Sequence, residues 1–110
     1  MEKIERSELK RLELVSAAKQ MLAGEMHLIE GVRKICKLRF DINDQENEVF
    51  LPIRGIESET DVFPLGSARA NYEADYLTRM DAEMQDYLND SRPYILSGCE
   101  EILKTYAHSK

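Results

Sequence analysis

Seven carboxylates between Asp41 and Asp61, set against the single cation Arg54, are the residues of this chain best suited to chemistry. Glu57, Glu59 and Asp61 stand at alternate positions. Side chains alternate along an extended chain, so all three would face one way there. Such a row could hold a divalent cation, draw in a basic partner or anchor an arginine. The local alternative has Ser58, Thr60 and Asp61 bonding nearby amides while one carboxylate pairs with Arg69 or Arg54. Ser58, Asp61 and Arg69 would then form a structural clamp. Upstream, Asp44, Glu46 and Glu48 extend the acidic set. Asp41-x-Asn43-x-Gln45 resembles the start of a calcium-binding loop, but Glu46 replaces the turn glycine and Pro52 stands where the bidentate glutamate belongs, so the motif fails.

The other reactive residue types are dispersed. Cys36 and Cys99 fall on apolar helix faces and read as core thiols rather than as a disulfide, a metal pair or a redox couple. His27 lies off the apolar stripe of its helix and reads as a surface residue. His108 sits in the C-terminal tail, and neither histidine has a sequence neighbour that would make a ligand pair or a catalytic base. No spacing matches a zinc site, a nucleophile elbow or a phosphate loop. No catalytic residue, bound metal or cofactor is therefore expected. Met80 and Met84, at helical spacing, read as packing.

Charge and composition narrow the class of partner. Residues 41–61 have a net charge of −6 while the segments on either side cancel, so the formal charge of the whole chain resides in its middle. A charged partner should be basic and should meet that middle. An acidic chain, with pI near 5.0, lacks the excess of Lys and Arg that neutralises phosphates, so nucleic acid is not expected. At 43% hydrophobic and 33% charged, the chain is too apolar for disorder, and 110 residues suit one helical domain over 1–110. No apolar run nears the roughly 20 residues a membrane span needs. The N-terminus MEKIERSELKR is charged where a signal peptide is apolar, which makes the cytoplasm the default and a membrane an unexpected partner.

Apolar spacing supplies the elements that must hold these groups. Leu9, Leu12, Val15 and Leu22, with Leu14, Ala18 and Met21 beside them, predict an amphipathic helix over 3–22. Gly24 suits its C-terminus, and a turn at Ala23–Gly24 leads into a second helix reaching about Leu38 through Leu28, Ile29, Val32, Ile35 and Cys36. The rival is one continuous helix with Gly24 inside it. Tyr72, Tyr76, Leu77, Met80, Met84, Tyr87 and Leu88 predict a third helix with Ser67 as N-cap. Asn89–Asp90 reads as a break, and Ser91 caps a fourth helix with Pro93 in its first turn and Ile95, Leu96, Cys99, Ile102, Leu103 and Tyr106 inward. Gly98 beside that face would allow another backbone to approach. The fold expected is all-α: a four-helix-bundle-like pair of helical hairpins joined by a long acidic connection over about 39–66. Val49, Phe50, Leu51, Ile53, Ile56, Val62, Phe63 and Leu65 should pin that connection across the bundle. Pro52 would confine any extended segment around 48–53 to an edge.

Three stretches carry a resemblance: Leu22-x-Gly24-Glu25, Ile29-Glu30-Gly31-x-Arg33, and the run Ile56-x-Ser58-Glu59-Thr60-Asp61-x-x-Pro64-x-Gly66-x-x-Arg69-x-x-Tyr72. Together they resemble a family of small bacterial helical proteins of unknown function with a central SETD-type motif. Tyr72 departs from the tryptophan of that pattern. The family supplies no catalytic assignment, and its size, acidity and helicity are similar to those of the immunity proteins encoded beside polymorphic toxins.

Charge and resemblance together favour a non-enzymatic, immunity-type inhibitor. Its acidic connection, through Asp44, Glu46, Glu48, Glu57, Glu59 and Asp61, would cover the basic groove of a cognate toxin such as a nuclease. The alternative from a different class is a small metal-dependent enzyme or regulator using Glu57, Glu59 and Asp61 with His27 brought near by folding. An accessory subunit of a helical complex is the third reading.

Overall fold

The computed structural model describes residues 2–107, so His108 lies outside the described residues. The fold is an all-α bundle. Helix α1 spans Glu2–Leu22, α2 spans Leu28–Asp41, α3 spans Leu51–Thr60 and α4 spans Ala74–Tyr106, with short 3₁₀ segments at Glu48–Phe50 and Gly66–Asn71.

Helix α1 buries Leu14, Ala17, Ala18 and Met21. Leu9 and Leu12, expected on its buried face, are instead 61% and 59% exposed. At about 100° per residue they lie roughly 130–170° around the helix from the centre of the buried stripe. The alanines win that stripe because α1 is packed against both α2 and α4, and small side chains admit two close neighbours.

The turn expected after Leu22 is present, and the single-helix rival is excluded. Glu25 N–H donates to the Gln20 carbonyl at 2.8 Å and Gly24 N–H to that of Met21 at 3.2 Å, with Gly24 at φ 76°. This pair of bonds is a Schellman closure, which favours glycine at the left-handed position. His27 then caps α2, its Nδ1 accepting from Ile29 N–H at 3.2 Å. Helix α2 runs three residues beyond the expected end at Leu38.

The acidic connection is more regular than its sequence suggests. Asn47 Oδ1 accepts from Val49 N–H at 2.9 Å, which starts the 3₁₀ turn that leads into α3. Pro52 sits in the first turn of α3, where its missing N–H has no intrahelical partner to lose. Residues 48–53, where the sequence allows an extended segment, are therefore helical. Phe50 and Ile53 are fully buried and Phe63 nearly so, and they pin the connection across the bundle, whereas Leu51 and Val62, expected to share that burial, are 54% and 60% exposed.

The expected third and fourth helices are one. Helix α4 runs 33 residues through Asn89–Asp90 and Pro93. Its buried residues Met80, Met84, Leu88, Ile95, Cys99, Ile102 and Tyr106 keep one helical phase throughout. Burying that continuous stripe offsets the cost of an interior proline, about 3 kcal/mol. The expected cap at Ser67 is likewise replaced, since Gly66–Asn71 forms the 3₁₀ segment and α4 starts after Glu73. At about 1.5 Å per residue α4 spans about 50 Å, which matches the long axis of the 50 × 28 × 24 Å molecule. It touches α1, α2, α3 and the first 3₁₀ turn.

Candidate functional site

Because α3 is a helix, the carboxylate row expected from an extended chain does not form. Glu57 and Asp61, four residues apart, share one side, while Glu59 points about 200° from Glu57. Each acidic residue of the central segment then finds its own setting.

Two of the six are hydrogen-bonded to other parts of the fold and a third is half-buried. Asp44 accepts from the Tyr106 hydroxyl and from Asn47 Nδ2 at 3.1 Å, which ties the chain after α2 to the last turn of α4. Glu59 accepts from the Tyr87 hydroxyl at 2.6 Å, joining α3 to α4. Burial first, then this bond, raises the Tyr87 pKa. Glu57 is half-buried and faces Cys36 on α2. Burial first, then the Glu57 charge, pushes that thiol up to about 12. Cys99 is pushed to about 11, chiefly by burial. Both thiols are held neutral.

Glu46, Glu48 and Asp61 are exposed, as is Glu59 despite its bond to Tyr87. Glu46 lies 3.9 Å from Arg54, a separation that binds weakly at a surface. Asp61 stands at the C-cap of α3.

The SETD–Pro–Gly–Arg run is the joint between α3 and α4. Thr60 is fully buried, and its hydroxyl donates to the Ile56 carbonyl at 2.7 Å. Ser58 and Asp61 are exposed and do not form the expected clamp with Arg69. Arg69 instead makes two 2.8 Å bonds to Asp81 on α4 and a 3.3 Å bond to the Pro64 carbonyl. Their hydrogen bond raises the Arg69 pKa and lowers that of Asp81. The clamp on the end of α3 comes from α2: Arg33 Nη2 donates to the carbonyls of Thr60 at 2.9 Å and Phe63 at 3.0 Å. Nothing local to Arg33 in the sequence signals this role, because its acceptors are backbone atoms 27 and 30 residues away. Tyr72, which closes the run, stacks on Tyr76 at 5.0 Å.

The surface left open lies beside the start of α3. A groove of about 480 Å³ runs between the first 3₁₀ turn and the C-terminal half of α4. Val49, Pro52, Gly98 and Tyr94 give it apolar walls, and Glu48 and Glu101 stand on its rims. Tyr94 is 70% exposed and Leu51, next to Pro52, is 54% exposed. None of the described lining residues is cationic. The nearest ion pair is Lys104 with Glu101 at 3.3 Å on the surface of α4. Sequence reasoning missed Tyr94 and Glu101 because it placed the acidic surface wholly within the connection.

Among the described residues no group of three or more His, Cys, Asp or Glu side chains gathers to hold a metal ion, and His27 is engaged as the cap of α2. No described helix is long and apolar enough to cross a membrane. Comparison with protein-family models, curated proteins and solved structures found no match.

Proposed function

We propose that this chain is a non-enzymatic binding protein of the immunity type, which neutralises a basic partner by covering it with an acidic surface. One observation carries the reading. Where the first 3₁₀ turn meets α4, Glu48 and Tyr94 line one groove and both are exposed, as are Glu46 and Leu51 on either side of that turn in sequence. Protein interfaces combine aromatic anchors with charged rims, and complementary charge speeds encounter with the intended partner. The acidic set is smaller than the central segment as a whole. Asp44 and Glu59 are bonded to tyrosines of α4 and Glu57 is half-buried beside Cys36, which leaves Glu46, Glu48 and Asp61 for contact. A toxin that acts on nucleic acid has a positive substrate groove, which fits the sign of this surface.

The test is functional. Each protein encoded next to this gene is expressed alone and with this chain, and growth is measured together with complex formation by calorimetry. The expected result is that one neighbour arrests growth and that co-expression restores it through a stable complex. Neighbours that are harmless and do not bind would overturn the reading.

A further inference from the structure

We infer that the groove beside α4 is the docking site for an amphipathic basic helix, one that lays an apolar stripe on Val49, Pro52 and Tyr94 and sets Lys or Arg against Glu48 and Glu101. The inference rests on the binding-protein reading and narrows it to one surface and one kind of partner element.

Shape selects a helix. Along α4 the groove runs from Tyr94 to Thr105, a length of about 16 Å at 1.5 Å per residue. That matches three turns of a helix lying alongside, whose anchors recur at i, i+3 or i+4, and i+7. The walls are suited to it. Tyr94 offers a large, mostly exposed ring, and Gly98 lines the trough between Tyr94 and Glu101. Ser97 and Thr105 add hydroxyls along the α4 wall.

Charge selects the sign. Glu48 is in the first 3₁₀ turn and Glu101 is on α4, so carboxylates flank the trough from both sides. Glu101 has only a surface pairing with Lys104, which a better-placed cation can displace. An acidic helix would meet two like charges and no described lining cation, so charge excludes it as well as favouring the basic one.

The probe is a fluorescein-labelled synthetic helix of about 14 residues, with Leu on one face and Lys on the rest. A second probe keeps the Leu face and replaces Lys with Glu. Binding is followed by fluorescence anisotropy at low and high salt, and the contact surface by amide chemical-shift mapping on the full chain. The Lys helix should bind and the Glu helix should not. Tyr94→Ser and the pair Glu48→Lys with Glu101→Lys should each weaken binding by roughly ten-fold at low salt. All three positions are exposed, and circular dichroism checks that the variants keep their helix. Absent binding, binding unchanged in these variants, or shifts mapped away from 48–52 and 94–105 would overturn the inference. The two readings fail separately. Neutralisation that survives the groove variants sinks the groove alone, whereas groove binding without a neutralised neighbour sinks the immunity reading alone.

Discussion

Gly98 on α4 faces Ile53 on α3 so closely that an added Cβ would sit 3.1 Å from Ile53 Cδ1 and 3.4 Å from Cγ1. Ile53 is fully buried, so its side chain has little space into which to retreat. Gly98→Ala should be close to neutral, because about 1 kcal/mol of helix propensity offsets a strain of a few tenths of an ångström. Gly98→Val should destabilise by about 1–3 kcal/mol through overpacking. Urea unfolding of the two variants checks the contrast, and equal stabilities would show that α3 does not lean on this position.

Gly31 makes a harder version of the same contact. A Cβ there would fall on the Met21 side chain, with Cγ at 2.7 Å and Cε at 2.9 Å. Gly31→Ala should cost about 1–3 kcal/mol despite better helix propensity. Met21→Ala in the same chain should recover part of the loss relative to the two single changes added, a coupling that a double-mutant cycle measures.

Arg33 holds the end of α3 through two backbone carbonyls. Arg33→Ala should destabilise by about 1–3 kcal/mol, as expected when bonds from a charged donor are lost. The amides around 60–66 should also exchange hydrogen faster. Arg33→Lys should recover only part, since both bonds come from Nη2 at the far end of the guanidinium and the lysine side chain ends about one bond short of it. Unchanged exchange in that segment would remove Arg33 from the joint.

Tyr106 gives the fold an alkaline limit. Burial first, and then its bond to Asp44, raise the phenol pKa above the ordinary 10.0. The folded state thus holds this proton more tightly than the unfolded chain does. Its contribution is complete below pH 10 and is lost as pH rises above it. Tyr106→Phe should lose about 1 kcal/mol near neutrality and should show a shallower fall in urea midpoint above pH 10. A parallel decline in both proteins would contradict the assignment.

The all-α class and the α1–α2 turn were legible because they rest on local signals, apolar spacing and a helix-ending glycine. Helix α4 was misread for a physical reason that the sequence also contains. Asn89, Asp90 and Pro93 are local breakers, yet all three are exposed, and the apolar stripe keeps its phase from Leu88 to Ile95 and beyond. Phase across a breaker outweighs the breaker when both halves bury into one core. The carboxylates were harder. Asp44 is used by Tyr106, 62 residues away, and Glu59 by Tyr87, 28 residues away. No local pattern distinguishes such an acid from one left for a partner. Charge counting located the acidic region, and only the packing separated its internal members from Glu46, Glu48 and Asp61.

Helix α4 follows every other element in the chain and is the surface on which α1, α3 and the first 3₁₀ turn are packed. During synthesis the α1–α2 hairpin can close while Phe50 and Ile53 still lack the neighbours that bury them. Folding domain by domain from the N-terminus gives such a chain little protection before α4 is made. From the synthesis of Phe50 and Ile53 until α4 is made, the nascent protein therefore carries apolar side chains with no core to enter, and that core closes when the last helix packs on.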